Sequence, residues 1–236
     1  MRDSGFVSGN WGVVAGSHHP SVSLLSDDAE KHRRLSILRI NLSYVLHESS
    51  SSATVGRFAK QLLVNARAAT RATRRVETWT DERFLPTIVI RDERVLWDFQ
   101  RDASPFVLTI DLGASSLLHR ALHLLLPSTC PAKTLWSVDR WSAEARSYSC
   151  TLFRAETTVA LPALSEIPAW FALLVFRPAW RSMLLDLSRL SAATFDRDLV
   201  RTLERVIRDY TDQWWCWRPW WPVPAEKALP ELQGER

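Results

Sequence analysis

The segment FVLTIDLGASSLLHRALHLLL, residues 106–126, decides the fold. Its first five residues form an apolar run that follows a proline, which is typical of a buried strand. Asp111 and Gly113 then indicate a turn, and residues 114–126 are apolar on nearly every side, as in a buried helix. A strand, a glycine-containing turn and a helix in this order predict an α/β fold, a mixed sheet flanked by helices. Ligands of such folds bind at the carboxyl ends of strands, so we expect chemistry at residues 111–116.

Hydrophobic spacing predicts the remaining elements. We expect helices over residues 27–48, 55–75 and 196–210, and a helix or turn over 94–101. On the second helix, Phe58, Leu62, Asn65 and Ala69 are predicted to share one face, and its arginines to face solvent or anionic lipid. We predict strands over 87–91, 133–141, 169–176 and 182–187, and one weakly alternating outer strand over 148–159.

The chain has 236 residues and shows neither an internal repeat nor a linker that would divide it. We expect an irregular N-terminal lead over 1–28, a single domain over 29–222 and a polar tail over 223–236. The sequence lacks the apolar run of a signal peptide or a membrane span, which predicts at most peripheral membrane contact. Three widely spaced cysteines without a Cys-x-x-Cys pair favour a reducing, cytoplasmic location, and we expect neither a metal nor a cofactor.

The composition is unusually rich in tryptophan and arginine. The chain has 12 Trp but 3 Tyr, and since four of its 30 basic residues are lysines, 26 are arginines. Tryptophan suits interfaces that are partly apolar and partly wet, and arginine binds phosphate or carboxylate with two hydrogen bonds. This pair of residues favours a membrane surface or an anionic, partly apolar ligand. A net charge of only +4, with 26 acidic residues, argues against a dedicated nucleic-acid-binding protein.

The C-terminal part carries a more specific pattern. Residues 207–214 read IRDYTDQW, followed by aromatic residues and Arg218. This pattern resembles the end of the lipid A biosynthesis (lauroyl/myristoyl) acyltransferase family, which closes with I-R-x-H-P-E-Q-W, aromatics and an arginine. The matching residues are Ile207, Arg208, Gln213, Trp214 and Arg218, and the differing ones are Tyr210, Thr211 and Asp212. Fainter similarities follow the family's order at residues 39–42 (RINL) and at 168–177, where Arg177 matches a basic residue.

The chain departs from this family at the reaction centre. The family uses an H-x4-D/E motif, in which the histidine is the general base and the acid orients it. None of the six histidines here is followed by an acid at that spacing. By strand order the motif's place is residues 111–116, so the resemblance puts Asp111 at the base position and Ser116 at the acid position. A partner on the next helix, His119 or His123, could orient Asp111; alternatively, Asp111 caps that helix.

The resemblance also implies where substrate binds and what is bound. Arg177, Trp214 and Arg218 would contribute to substrate binding, with Arg218 reaching a phosphate. The tryptophan-rich segment 214–221 either lines an acyl-chain groove or interfacial patch, or packs onto the sheet and closes the core.

Two functions are compatible with these residues. The first is a lipid acyltransferase-like protein at the inner membrane surface, which transfers an acyl chain from acyl carrier protein or acyl-CoA to a hydroxyl of a lipid or another acceptor. The second is a non-catalytic homologue, a pseudoenzyme, that binds the acyl chain, acyl carrier protein or a partner acyltransferase. The missing histidine favours the second function, and the retained C-terminal pattern is compatible with both. Whether the chain is an enzyme is therefore the central question.

Overall fold

A computed structural model describes residues 28–102, 106–126, 134–142, 147–152, 158–160, 169–216 and 220. Within these residues the helices are α1 (Asp28–Leu46), α2 (Ala53–Glu77), α3 (Asp81–Phe84), α4 (Glu93–Arg101), α5 (Ser115–Leu125) and α6 (Phe195–Asp209). The strands are β1 (Ile88–Ile90), β2 (Phe106–Ile110), β3 (Thr134–Ser142), β4 (Ser147–Leu152), β5 (Thr158–Ala160), β6 (Ala169–Phe176) and β7 (Met183–Leu190). The protein is therefore α/β, with a mixed sheet flanked by helices, as the sequence predicts.

The strands lie in the order β1-β7-β6-β2-β3-β4-β5. The central strands β6, β2 and β3 are mutually parallel, and β1 is parallel to β7. The β6–β7 hairpin and the β3–β4 and β4–β5 pairs are antiparallel. Every residue of β2 and β6 is buried, because helices cover both faces of the sheet at its centre.

Apolar side chains form one core on each face of the sheet. On one face, α2, α4 and α5 pack against residues such as Trp170, Leu174 and Leu185. On the other face, α6 packs against Phe171, Leu173 and the C-terminal tryptophans Trp214 and Trp220. A third, smaller cluster joins α1 to α2. Within the described part of the chain, no helix has both the length and the apolar character needed to cross a bilayer.

The structure confirms most of the predicted elements and corrects four. Strands β2 and β6 have the predicted bounds, and α4, α5 and α6 lie within a residue of theirs. Strand β7 ends at Leu190, three residues beyond its predicted end at residue 187. The segment predicted as one outer strand contains two, β4 and β5, which pair with each other at the sheet's end. The short helix α3 was not predicted, since four residues carry no periodic signal. Helix α2 begins at Ala53 rather than Val55, because the Ser52 hydroxyl accepts a hydrogen bond from the Val55 N–H and caps it.

The predicted face of α2 is wrong at two of its four positions. Leu62 and Ala69 are buried, but Phe58 is 40% exposed and Asn65 is only half-buried. The buried stripe is shifted toward small residues, and its members are Val55, Ala59, Leu62, Leu63, Ala66, Ala69, Ala72 and Val76. Alanines let α2 lie close to its neighbours, so the large Phe58 falls at the edge of the contact.

Candidate functional site

The candidate site lies at the carboxyl edge of the central parallel strands. Strands β2 and β6 pair from Phe106–Ala169 to Leu108–Phe171, and their ladder ends there, although both strands continue. Beyond that point β2 stays paired with β3, and β6 stays paired with β7. The sheet therefore splits between β2 and β6, which is where ligands of open α/β sheets bind.

Main-chain groups of residues 113 and 114 and the side chain of Gln213 occupy the split between β2 and β6. The Ala114 N–H donates to the Leu174 carbonyl at 2.7 Å, and the Gly113 N–H donates to the Gln213 carbonyl at 3.2 Å. The buried Gln213 side chain pairs with the end of β6: its Nε2 donates to the Phe176 carbonyl (2.7 Å), and its Oε1 accepts from the Phe176 N–H (2.9 Å). Gln213 thus bonds with the main chain of β6 much as a neighbouring strand does.

Asp111 lies at the surface directly after β2. Its Oδ1 accepts a hydrogen bond from the Ser115 hydroxyl at 2.9 Å, and Ser115 is buried in the first turn of α5. The prediction that Ser116 would partner Asp111 is therefore shifted by one residue, since residues four apart across a helix start come closer than residues five apart. The alternative of a backbone cap is also not what the structure shows. The N-cap of α5 is Ala114, without a side-chain cap, and Asp111 holds the first turn through the Ser115 hydroxyl instead.

The two histidines considered as partners of Asp111 lie further along α5. His119 is half-buried, and His123 is exposed in the last turn. The Asp111 carboxylate accepts its hydrogen bond from the Ser115 hydroxyl. Where the family resemblance puts a histidine and an acid, this chain therefore has an aspartate and a serine. The described residues contain no group of three or more His, Cys, Asp or Glu side chains that could hold a metal ion.

The predicted substrate-binding residues have very different surroundings. Arg177 is exposed at the end of β6, where the hairpin to β7 begins. Trp214 is only 1% exposed and packs edge-to-face against Trp220, with ring centroids 5.9 Å apart. Arg218 lies outside the described residues. Trp214, Trp215 and Trp220 are all buried, so these three tryptophans close the core, which was one of the two interpretations of segment 214–221.

Asn41 joins two of the segments that carry the family resemblance. This buried side chain lies on α1, within the RINL stretch. Its Nδ2 donates to the Cys216 carbonyl at 3.1 Å, and its Oδ1 accepts from the Trp220 N–H at 2.9 Å. The sequence offered a signal that we did not use, because an asparagine on the apolar side of a helix needs a buried partner. Asn41 and Gln213 thus hold the C-terminal segment to α1 and to β6.

A buried charge network was also missed by the sequence analysis. The Asp186 carboxylate, on β7, accepts from Arg91 Nη1 and from Arg205 Nη1, each at 2.7 Å. Arg91 Nη1 also donates to the Tyr210 hydroxyl at 3.2 Å. Burial raises the pKa of Tyr210, and the negative charge of Asp186 adds to this effect. Tyr210 is thus part of a structural network at the place where the family pattern has histidine.

Comparison with known proteins gives no match to a family model, a curated protein or a solved structure. The resemblance to the acyltransferase family therefore rests on the residues quoted above. In the structure, Asn41 and Gln213, which both belong to the resembling segments, hold the C-terminal segment to α1 and β6.

The Gln213→Ala variant tests whether this glutamine closes the split. The substitution leaves the buried N–H and C=O of Phe176 without their side-chain partner, at a cost of about 1–3 kcal/mol for each group. We expect the melting temperature to fall by roughly 5–20 °C in a scan by circular dichroism. Gln61→Ala is the matched control, since Gln61 is exposed and, among the described residues, donates a side-chain hydrogen bond to Asn65 alone, and it should change stability by at most about 0.5 kcal/mol. Equal, small effects of both substitutions would contradict the role of Gln213.

Proposed function

We propose that this protein is an acyltransferase-like pseudoenzyme, which binds an acyl thioester, carried by acyl carrier protein or coenzyme A, without transferring the acyl chain. The proposal rests on the hydrogen-bonded pair Asp111 and Ser115 at the base position. An imidazole can take a proton from an attacking hydroxyl while an acid orients it. Here the position carries Asp111, whose carboxylate is held by the Ser115 hydroxyl.

The filled split supports binding without turnover. In a working transferase, the acceptor hydroxyl and the thioester carbonyl must reach the base together, within hydrogen-bond distance. Main chain of residues 113–114 and the Gln213 amide occupy the interval between β2 and β6 beside Asp111. An acceptor would therefore have to approach Asp111 from its exposed side.

We propose Arg177 as the first contact of a bound anionic group. It is exposed at the end of β6, on the edge that Asp111 also occupies, and arginine matches phosphate geometry with two parallel hydrogen bonds. Coenzyme A and the phosphopantetheine arm of acyl carrier protein both carry phosphate. Arg218 is proposed as a second cation for the same group, as the resemblance implies. Buried Trp214 supports this edge from within the core and is not offered to the ligand.

Catalysis by Asp111 is the second candidate, favoured by the exposure of its carboxylate at the carboxyl edge. In that reaction the acceptor oxygen attacks the thioester carbonyl carbon, and Asp111 takes the hydroxyl proton. The carbon–sulfur bond then breaks, and the leaving thiolate receives the proton. A new ester and a free thiol are the products, so no other reactant is needed.

Intact-mass spectrometry with purified protein separates the two candidates. Acyl carrier protein thioesters are supplied with a lysophospholipid or a lipid A precursor, and wild type is compared with Asp111→Ala. We expect no acyl transfer by either protein, and equal binding of the thioester by both. Arg177→Ala should weaken binding roughly 10-fold, because a charge-assisted hydrogen bond is lost, whereas Arg94→Ala on α4 should not.

Three other outcomes would contradict the proposal, each in a different way. Product formed by wild type and lost in Asp111→Ala would make Asp111 the base and the protein an enzyme. Neither turnover nor binding would remove the proposed function altogether and leave the resemblance as shared ancestry. Binding that is equally weakened by Arg177→Ala and Arg94→Ala would show general charge attraction rather than a site at the edge.

A further inference from the structure

Helix α2 presents a continuous line of cations to solvent. Its exposed residues recur at spacings of three and four, which places them on one side of the helix. We call five of them the basic stripe: Arg57, Lys60, Arg67, Arg71 and Arg74. At 1.5 Å of rise per residue, the stripe is about 26 Å long.

The cations of the basic stripe have no acidic partner in the part of the chain that the structure describes. Within the described ranges, no ion pair joins any of its five cations to an acidic side chain, whereas some arginines elsewhere are paired, for example Arg205 with Asp186. Helix α2 carries one acidic residue, Glu77, and it follows the stripe at the C-terminal end. Packing against the core accounts for the alanines and leucines on the buried side of α2. No contact within the described residues requires five aligned cations on its opposite side.

We propose that the basic stripe is a docking surface for an anionic lipid bilayer. Charge complementarity carries this proposal, because each Lys or Arg near an anionic membrane contributes to binding. Four of the five cations are arginines, which pair with lipid phosphates through two hydrogen bonds. The apolar side chain in the line, Val64, is 57% exposed, and a headgroup layer accommodates such a group among cations.

The shape of the surface favours lipid over other polyanions. A single convex helix side has no concavity or buried polar group that could read a fixed pattern of charges. Lipids diffuse laterally and gather under such a stripe, so no matching partner surface is needed.

Docking through the basic stripe would also orient the candidate site. Two hydrogen bonds tie α2 to the segments beside that edge: Asn65 Nδ2 to the Asp212 carbonyl (2.7 Å) and Arg75 Nη2 to the Trp180 carbonyl (3.0 Å). The carboxyl edge of β2 and β6 therefore lies beside α2, so a lipid-borne group could reach it from the bilayer surface. This orientation rests on the proposed function, whereas the docking itself does not.

Vesicle sedimentation with the full chain tests the docking. The probes are vesicles of phosphatidylcholine alone and of phosphatidylcholine with phosphatidylglycerol. Arg67→Gln/Arg71→Gln/Arg74→Gln removes three charges of the stripe, and Arg94→Gln/Arg101→Gln/Arg201→Gln removes three exposed charges from α4 and α6. We expect binding only to the anionic vesicles, and weaker binding as salt rises. The stripe variant should lose on the order of 100-fold in partition coefficient, about five-fold per charge, and the control variant far less.

Several results would overturn the docking surface. These are failure of wild type to sediment with anionic vesicles, equal losses in both triple variants, or binding to a polynucleotide or acidic protein but not to vesicles. Should the stripe variant fold poorly by circular dichroism, Arg57→Gln/Lys60→Gln at the other end of the stripe provides the second test. Thioester binding measured without vesicles is a separate readout, so the failure of either proposal is recognised independently.

Discussion

Replacing Asp186 with alanine is expected to lower the free energy of unfolding by about 3 kcal/mol. The Asp186 carboxylate is 4% exposed and compensates two guanidinium groups, those of Arg91 and Arg205. Removal of one partner of a buried charge cluster is costly, because the remaining charges keep their desolvation but lose their attraction. Both arginines are partly exposed and can turn toward water, which limits the loss. For a domain of this size, the melting temperature should fall by roughly 10 °C.

The two arginines of this network should show a strongly non-additive effect. In Arg91→Ala the carboxylate keeps its bonds with Arg205, and in Arg205→Ala it keeps its bond with Arg91. Each single variant should therefore lose about 1 kcal/mol, while the double variant leaves Asp186 buried without a counter-charge and should lose clearly more than the sum. Urea unfolding of the four proteins measures this coupling.

Ser188→Ala is the matched control for the Asp186 network. It removes a hydroxyl that accepts a hydrogen bond from Arg205 Nη2 at 3.2 Å, and it should cost no more than about 1 kcal/mol. An Asp186→Ala protein as stable as Ser188→Ala, or additive effects of the two arginine substitutions, would show that the network contributes little to stability.

Gly113→Ala is expected to destabilise the protein by about 3 kcal/mol or more. Gly113 has a φ of +65°, a conformation that a residue with a side chain rarely adopts. A Cβ atom there would lie 2.8 Å from the Leu174 carbonyl oxygen and 2.9 Å from the Val175 Cα. Both are main-chain atoms of β6, so the strand itself would have to move, and strain adds to steric overlap.

The same substitution at Gly56 should have the opposite sign. Gly56 lies within α2, and a Cβ atom there would meet nothing closer than the Arg39 guanidinium at 3.9 Å. Alanine in a helix interior is favoured over glycine by roughly 0.5–1 kcal/mol, so Gly56→Ala should raise the melting temperature. Thermal unfolding of both variants makes the comparison. A Gly113→Ala protein with wild-type stability would show that the turn after β2 can open, and the split between β2 and β6 would then be available to a ligand.

Sequence patterns predicted the secondary structure correctly where they are local. The run Phe106–Ile110 and the fully apolar stretch Ala169–Phe176 are strands with the predicted bounds, because both are buried on both faces and read as continuous apolar runs. Helix α6 was predicted from Leu199, Leu203, Val206 and Tyr210. The first three share the buried face, whereas Tyr210 is half-buried at the C-cap. The face of α2 was partly wrong, because a stripe of alanines carries a weaker hydrophobic signal than the isolated Phe58.

The position of residues 111–116 in the fold was predicted correctly, but their contacts were not. Residues 111–116 do lie at the carboxyl edge of a central strand, since a strand followed by a turn and a buried helix ends there. The partner of Asp111 is Ser115 rather than Ser116, a difference of one residue that depends on how the first turn of α5 is wound. Gln213 was noticed only as part of a family-like pattern, although its amide bonds directly with the end of β6.

The sequence by itself fixes the α/β class, the position of most elements and the absence of an H-x4-D/E spacing, because these follow from local periodicity and residue identity. Tertiary structure alone decided three other features: the split between β2 and β6, its filling by Gly113 and Gln213, and the charge network around Asp186. Each of these joins residues that lie far apart in the chain, as Phe176 and Gln213 do. Such pairs meet only because packing of the helices on the sheet brings them together, and no spacing within a segment encodes that distance.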